Sequence, residues 1–201
     1  MSIGRHEIAA EQFPAWWARQ VAAHPGAVVS LDGDTVTARW QGGALSAVSF
    51  THETIGLVLI RRGGYAVGRA VAGRLTAVKA GRRHVQSRTA AGGWSQQRFA
   101  RRREGQAAVL VDAVTAHAYR LICASPAESG LGGEGHGIPQ ALIVGGDRTL
   151  WTAVLDAPAL SPLAALPRRE LPDLPDPDAA VLKRALWRGR AVWVIDGGPG
   201  E

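Results

Sequence analysis

The stretch Gly56-Leu57-Val58-Leu59-Ile60-Arg61 is a short, continuous apolar run, and Arg62-Gly63-Gly64 follows it. A run of this length that ends at turn residues is typical of a strand buried on both faces of a sheet. The next segments alternate in polarity and are separated by Ala72-Gly73, which predicts an antiparallel ribbon with an arginine at almost every exposed position. The predicted strands cover residues 56–61, 65–71, 75–79 and 84–88.

The segment before this ribbon reads as a helix followed by a small β-meander. Residues 7–23 have the spacing of an amphipathic helix, and His24-Pro25-Gly26 ends it. Two turn signals, Asp32-Gly33-Asp34 and Gln41-Gly42-Gly43, then separate three β-prone runs. The inward helix positions are Ile8, Phe13, Trp16, Trp17 and Val21, and the three runs are residues 27–31, 35–40 and 44–50.

The segment after the ribbon is mainly helical. Apolar residues recur at three- and four-residue spacing up to Leu121, which predicts a long helix over residues 96–121. Residues 125–139 are irregular and rich in glycine, and the proline-rich stretch from Pro158 to Pro177 is expected to be mostly extended. Asp147 is expected to cap a helix at its N-terminus. The further predicted elements are strands at 141–144 and 191–195 and helices at 149–155 and 178–187.

These elements predict an α/β fold in which helices cover a mixed sheet. We expect the helix and meander of residues 1–52 to pack on a core of residues 53–201, forming one compact unit. The chain has 201 residues, 46% of them apolar and 20% charged, which is typical of a globular protein with a real core.

The composition also limits the cellular location and the chemistry. The N-terminal sequence has no apolar signal region, and no apolar run approaches the roughly 20 residues that span a bilayer. Cys123 is the only cysteine, which excludes a disulfide framework or a thiolate zinc site within one chain. The six histidines lack metal-binding spacing. We therefore expect a cytoplasmic protein without metal, cofactor or membrane contact.

The charge is concentrated in one part of the chain, which we call the basic block. No acidic residue lies between Glu53 and Glu104, whereas residues 61–103 contain twelve Lys and Arg. The rest of the chain contains the other eleven of the 23 basic residues and all 17 acidic residues, so it is acidic. Such a block favours binding to nucleic acid or another polyanion over a merely solvated surface, where acids would be mixed in. Its members are Arg61, Arg62, Arg69, Arg74, Lys79, Arg82, Arg83, Arg88, Arg98, Arg101, Arg102 and Arg103.

The most specific segment is Gly92-Gly93-Trp94-Ser95-Gln96-Gln97, which leads into the long helix. The two glycines allow a narrow, flexible approach, and Ser95 is well placed as an N-cap. The first turns of this helix hold arginines, although the helix dipole favours acids there. Because helix N-termini bind phosphate, this departure indicates an RNA-binding end, unless acids elsewhere in the body neutralise it. The helix arginines are Arg98, Arg101, Arg102 and Arg103, of which the first three share a face.

This segment resembles the middle domain of eukaryotic and archaeal peptide-chain release factors, which carries a Gly-Gly-Gln loop. It is most similar to the Vms-like release-factor domain in its actinobacterial form, where Gly-Gly-Trp-Ser-Gln precedes an arginine-rich helix. Residues 59–68 and 144–148 and the N-terminal helix and meander also look similar, so the resemblance covers most of the chain. It implies a fold related to the ribonuclease-H-like α/β sandwich.

The resemblance implies a peptidyl-tRNA hydrolase that frees nascent peptides on stalled or split ribosomes. In this sequence Trp94 and Ser95 separate the glycines from the glutamine, so Gln96 matches the family pattern and Gln97 remains an alternative. The implied partners are peptidyl-tRNA and the ribosome, mainly rRNA of the large subunit. The implied catalytic residues are Gly92, Gly93, Ser95, Gln96 and Gln97, and the RNA-binding residues are Arg82, Arg83, Arg88, Trp94, Arg98, Arg101, Arg102 and Arg103.

Several alternatives stay open. The same loop could serve a nuclease that cuts the tRNA near its 3′ end, or the basic block could belong to a non-catalytic ribosome adaptor. A Gly-x-Gly-x-x-Gly match at residues 130–135 precedes a strand instead of following one, which favours a surface loop. The Gly145-Gly146-Asp147 turn could hold a phosphate or be a packed strand-to-helix connection. Ser95 lacks the Gly-x-Ser-x-Gly context of a serine nucleophile.

Overall fold

The computed structural model describes residues 5–82, 94–124 and 137–197. The chain divides into two compact units, one made of residues 1–51 and 187–201 and the other of residues 52–186. Each unit contains a five-stranded sheet. The fold is α/β with a mixed sheet, as the sequence predicts.

The first unit contains an antiparallel sheet with the strand order β1-β10-β4-β3-β2. The residues Phe13, Trp16 and Trp17 of its helix pack against a small core that includes Leu45 and Val194. The element bounds are β1 (Arg5–Ile8), α1 (Phe13–Ala22), β2 (Val28–Asp32), β3 (Thr35–Trp40), β4 (Gly43–Val48) and β10 (Val192–Gly197).

Two features of this unit differ from the sequence-based expectation. The helix predicted from residue 7 begins only at Phe13, and β1 takes the preceding segment. Pro14 explains the late start, because proline fits the first turn of a helix but would clash inside a helix that began at residue 7. The last strand, β10, pairs with β1 and β4 in this sheet, although the sequence pattern groups it with residues 53–201.

The second unit contains a mixed sheet with the strand order β7-β6-β5-β8-β9. The pairs β5–β6 and β6–β7 are antiparallel, whereas β5–β8 and β8–β9 are parallel. Only β6 therefore runs against the other four strands, as in the ribonuclease-H-like arrangement. The strands are β5 (Thr54–Arg61), β6 (Gly64–Val71), β7 (Arg74–Arg82), β8 (Ala141–Gly146) and β9 (Arg168–Leu171).

Helices cover both faces of this sheet, because β5 is apolar on both sides. Val58 and Ile60 belong to the core that also contains residues of α2 and α3. On the opposite face, Leu182 of α4 lies so close to Gly68 that a side chain at residue 68 would collide with it. The helices are α2 (Trp94–Ala118), α3 (Arg148–Leu155) and α4 (Ala179–Arg190), with a π-helix at Tyr119–Cys123 and a 3-10 helix at Pro158–Leu163.

The predicted ribbon and meander strands are confirmed where they fall on described residues, whereas the segments 84–88 and 125–136 lie outside them. The proline-rich stretch is not purely extended, since it contains the 3-10 helix and β9. Hydrogen bonding to β8 makes β9 a strand, and such tertiary pairing leaves little trace in local composition.

Candidate nucleic-acid interface

The direction of α2 relative to the sheet determines where the glycine-glutamine segment lies. His117 stacks on Tyr65, at the edge where β5 ends and β6 begins, with ring centroids 5.4 Å apart. Ile122, five residues later, contacts Gly56 near the opposite end of β5. Helix α2 therefore runs antiparallel to β5, and its earlier residues lie toward and beyond the edge at which β5 ends.

The first half of α2 is not part of the described core. Among residues 105–118, the part of α2 whose burial is described, the first buried residue is Leu110, whereas Gly105 and Gln106 are exposed. With a rise of 1.5 Å per residue, Trp94 lies about 24 Å along the helix axis from Leu110. The segment that precedes Trp94 is therefore attached to a helix end that is far along the axis from Leu110.

Three arginine positions of α2 share one face of the helical register. Each is nine residues, or about two and a half turns, from a residue of the same helix that packs in the core. Arg98 corresponds in this way to Ala107, Arg101 to Leu110 and Arg102 to Val111. The shared face that the spacing predicts therefore falls on one continuous helix.

The start of α2 differs from the prediction and changes the setting of the two glutamines. The helix includes Trp94, so Ser95 and Gln96 lie in its first turn and Ser95 is not the residue that precedes it. The first backbone N–H groups of a helix have no acceptor within it. With Trp94 as the first helical residue, this group of free donors includes Gln96, while Gln97 begins the intrahelical series.

The other predicted RNA-binding residues are described only in part. The side chain of Arg82 at the end of β7 is 85% exposed, and its guanidinium lies 3.7 Å from the Asp178 carboxylate. An ion pair this exposed is weak, so Arg82 can readily exchange Asp178 for a phosphate. For Trp94 and the helix arginines only the backbone is described. Gly92, Gly93, Arg83 and Arg88 lie outside the described residues.

One arginine of the basic block is not available to RNA. Arg69 is only 5% exposed, and its guanidinium donates to the carbonyl oxygens of Ile122, at 2.8 Å, and Gly137, at 2.7 Å. Burial lowers the pKa of Arg69. Arg69 pairs with Gly56 of β5, and a side chain at residue 56 would collide with Ile122, so Arg69 lies on the sheet face that the π-helix covers. Arg69 thus holds the C-terminal end of α2 against the sheet.

The sequence predicts a ribbon with an arginine at almost every exposed position and includes Arg69 in the basic block, but Arg69 is buried and is not one of the exposed positions. This role is not visible in the sequence, because an arginine between Gly68 and Ala70 has no local feature that marks it as buried. The long, flexible arginine side chain can lie either on the surface or in the interior. Its buried position depends on the Ile122 and Gly137 carbonyls, which belong to segments distant in sequence.

Burial shifts the pKa values of two further groups near this end of α2. Burial, followed by the nearby Lys79 and Arg120 charges, lowers the pKa of His117. Burial also raises the pKa of the Cys123 thiol to about 11, although the Arg69 charge acts in the opposite direction. Cys123 is therefore a protonated thiol at neutral pH and a poor nucleophile.

The turn after β8 is a packed connection. A side chain at residue 146 would collide with the carbonyl oxygen of Ile60, and Gly146 has a φ of +94°. The Asp147 N–H donates to that same carbonyl at 2.8 Å, and the Asp147 carboxylate accepts from the Leu150 N–H at 3.4 Å. The predicted N-cap is confirmed, and its carboxylate occupies the place that a phosphate would take at the start of α3.

Two limited observations concern metals and membranes. Within residues 5–82, 94–124 and 137–197, no three His, Cys, Asp or Glu side chains come together to hold a metal ion. No helix in the described part of the chain is both long enough and apolar enough to cross a membrane.

The comparison with protein families agrees with this geometry. The family model of the Actinobacteria/chloroflexi VLRF1 release factor matches residues 53–195. The chain belongs to this family. The match contains the whole mixed sheet, the glycine-glutamine segment and α2, and it ends within β10. A comparison with curated proteins found no match.

Membership of the VLRF1 release-factor family gives the protein a release-factor-like role in translation and implies an interaction with the ribosome. The matched region begins one residue before β5, so the meander of β2, β3 and β4 precedes it. The glycine-glutamine segment and the mixed sheet both lie within the matched region.

Proposed function

We propose that this protein is a peptidyl-tRNA hydrolase that frees nascent peptides from tRNA on stalled or split ribosomes. The observation that carries the proposal is the Gly92-Gly93-Trp94-Ser95-Gln96 sequence at the start of α2, in a chain of the VLRF1 release-factor family. The proposal concerns release of the peptide on stalled or split ribosomes.

The chemistry required is attack of water on the ester that joins the peptide to the tRNA. Glutamine does not titrate in the working pH range and cannot be the general base. It can hold a water against the ester carbonyl, and a free backbone N–H can donate to the oxyanion that develops. Positioning and electrostatic stabilisation of this kind fit a segment with two small glycines, which can enter a narrow site where RNA supplies the remaining contacts.

The position of Gln96 on α2 supports its choice over Gln97. The backbone N–H of Gln96 belongs to the free donors of the first helical turn, whereas that of Gln97 enters the helix ladder. The positive end of the helix dipole adds to the field at those donors. Gln96 thus offers both an amide side chain and a backbone donor that has no acceptor within the helix.

The basic face of α2 supports the same orientation on tRNA. Arg98, Arg101 and Arg102 share one face of the helical register, within two turns of Gln96. Guanidinium groups bind phosphate oxygens in pairs of hydrogen bonds. Contacts to phosphates of the tRNA acceptor end would hold the first turn of α2 close to the ester.

The test is single-turnover release on purified stalled ribosome–nascent-chain complexes, with the tRNA products resolved by length. We expect free peptide and intact tRNA that ends in its terminal adenosine. A shortened tRNA would show that the protein is a nuclease and not a hydrolase. Full activity after both Gln96 and Gln97 are changed to alanine would support a non-catalytic adaptor. Gln106→Ala is the matched control, because Gln106 is an exposed glutamine on the same helix.

A further inference from the structure

The strand β2 is an exposed apolar edge. It lies at the end of the first sheet and pairs only with β3 among the described strands. All five of its residues are exposed, with Val28 at 71%, Val29 at 46% and Leu31 at 76%. Edge strands of soluble monomers usually carry lysine, proline or a bulge that prevents pairing with another chain. The sequence Val-Val-Ser-Leu-Asp contains none of these.

The hydrogen-bonding groups of β2 that remain free can be assigned from the hairpin. A two-residue loop, Gly33-Asp34, connects Asp32 to its partner Thr35. Such a loop makes Asp32 and Thr35 a hydrogen-bonded pair. Hydrogen-bonded and non-hydrogen-bonded pairs then alternate along the two strands, so Ser30 and Val28 also bond to β3. The N–H and C=O groups of Val29 and Leu31 therefore point away from β3, toward the open edge.

We propose that β2 pairs antiparallel with β2 of a second copy of this chain, with Ser30 on the two-fold axis. In this register Val29 of one copy lies opposite Leu31 of the other, and the reverse holds by symmetry. The outward-pointing groups of both residues then form two hydrogen-bonded pairs, giving four hydrogen bonds. The first sheet of one copy and the first sheet of the other then form one continuous sheet.

The same register places complementary side chains across the axis. On one face, the exposed Val29 and Leu31 of both copies form a single apolar cluster. On the other face, Val28 lies beside Arg39 of its own chain and opposite Asp32 of the second copy. Arg39 is exposed and is long enough to reach that carboxylate across Val28. Like charges do not face each other at any pair within the strand.

The size of this contact sets the strength of the association. Stable complexes typically bury about 1,200–2,000 Å² of total surface, which exceeds what two five-residue strands supply. The dimer is therefore weak and reversible, with a dissociation constant above about 1 μM. Along the chain, β2 precedes the region matched to the family and does not belong to the segment proposed for peptide release.

The first test is sedimentation velocity of the full chain over a range of concentrations. We expect a monomer–dimer equilibrium that shifts to monomer in Leu31→Lys, because a lysine there places two charges in the apolar cluster. Val78→Lys is the matched control, since Val78 is a 42% exposed valine on β7, the edge strand of the other sheet. A monomer at every concentration, or a dimer unaffected by Leu31→Lys, overturns the proposal.

The second test fixes the register. In a Cys123→Ser background, Ser30→Cys should form an intermolecular disulfide under mild oxidation, because facing residues of a non-hydrogen-bonded pair lie about 4.5 Å apart at Cα. Val28→Cys should not crosslink, because the two copies of residue 28 lie on opposite sides of the axis. Equal crosslinking by both variants, or by neither, contradicts the Ser30-centred pairing.

Discussion

The two halves of α2 differ more from each other than most pairs of separate elements in this protein. The second half is held by the core, with Leu110, Val114 and Ala118 at most 4% exposed, and it ends in a π-helix bound by Arg69. The first half carries four arginines and the two glutamines. A single helix thus has one end that is fixed to the sheet, and we propose that the arginine-rich end, called the free end below, meets the RNA.

This difference separates the determinants of stability from those of activity along one element. Substitutions in the second half should change the free energy of unfolding, because they remove buried contacts or leave buried polar groups without partners. Substitutions in the first half should change binding or turnover at nearly constant stability. The following predictions test that separation in order of decreasing effect.

The largest effect is expected for Gln96→Ala. It should fold and bind ribosomes normally but lose roughly 10²–10³ in single-turnover release, equivalent to about 3–4 kcal/mol of transition-state stabilisation. Gln97→Ala should keep a substantial share of activity, since its backbone N–H already belongs to the helix ladder. The measurement is release at saturating protein, with thermal melting as the control.

The outcomes of this pair assign the role directly. Release near the wild-type rate by Gln96→Ala removes Gln96 from the mechanism. Loss of release in Gln97→Ala alone would show that Gln97, and not Gln96, is the glutamine that acts in release. A lower melting temperature for Gln96→Ala would mean that the first half of α2 also contributes to stability, against the proposed separation of the two halves.

The second prediction concerns the fixed end of α2. Arg69→Met should destabilise the protein by about 1–3 kcal/mol, because the Ile122 and Gly137 carbonyls lose their donor in the interior. Urea unfolding measures this change. RNA affinity measured where the variant remains folded should stay the same, since Arg69 is buried. A clear decrease of affinity in a folded Arg69→Met would return this arginine to the RNA-binding set.

The third prediction concerns the free end. The double change Arg98→Ala and Arg101→Ala should weaken binding to tRNA or ribosomes by roughly tenfold, without a change in melting temperature. It should also reduce the dependence of affinity on salt by about one unit of logarithmic slope for each phosphate that the variant no longer binds. Arg184→Ala is the matched control, because Arg184 is an exposed arginine of α4 outside the basic block. Wild-type affinity that does not change with salt would contradict binding to a polyanion.

The fold was predictable wherever local pattern and tertiary structure agree. The continuous apolar run at residues 56–61 forms the central strand, and the alternating runs beside it form β6 and β7, because burial on one or both faces sets the polarity of each position. The Asp147 cap was predictable for a similar reason, since capping needs only a side chain and the next helical turn.

The features that could not be predicted from the sequence depend on distant partners. Strand β9 forms beside β8, and β10 joins the N-terminal sheet through β1 and β4. Arg69 is buried because carbonyls from two separate segments meet it. For the candidate site, the motif and the arginine face could be predicted from the sequence. The direction of α2 and the inclusion of Gln96 in its first turn became known only from the backbone structure.

The smallest expected effect lies at His117, where the fixed half of α2 contacts the sheet through Tyr65. Burial and the nearby Lys79 and Arg120 charges hold the pKa of His117 below 6.5 in the folded protein. Between that lowered pKa and 6.5 the unfolded chain binds more protons, so stability decreases as the pH falls through this window. His117→Gln should remove this part of the pH dependence in urea unfolding at about pH 5–7. Because His117 belongs to the fixed half, RNA affinity at neutral pH should not change, and an equal pH dependence in both proteins would show that His117 does not titrate on unfolding.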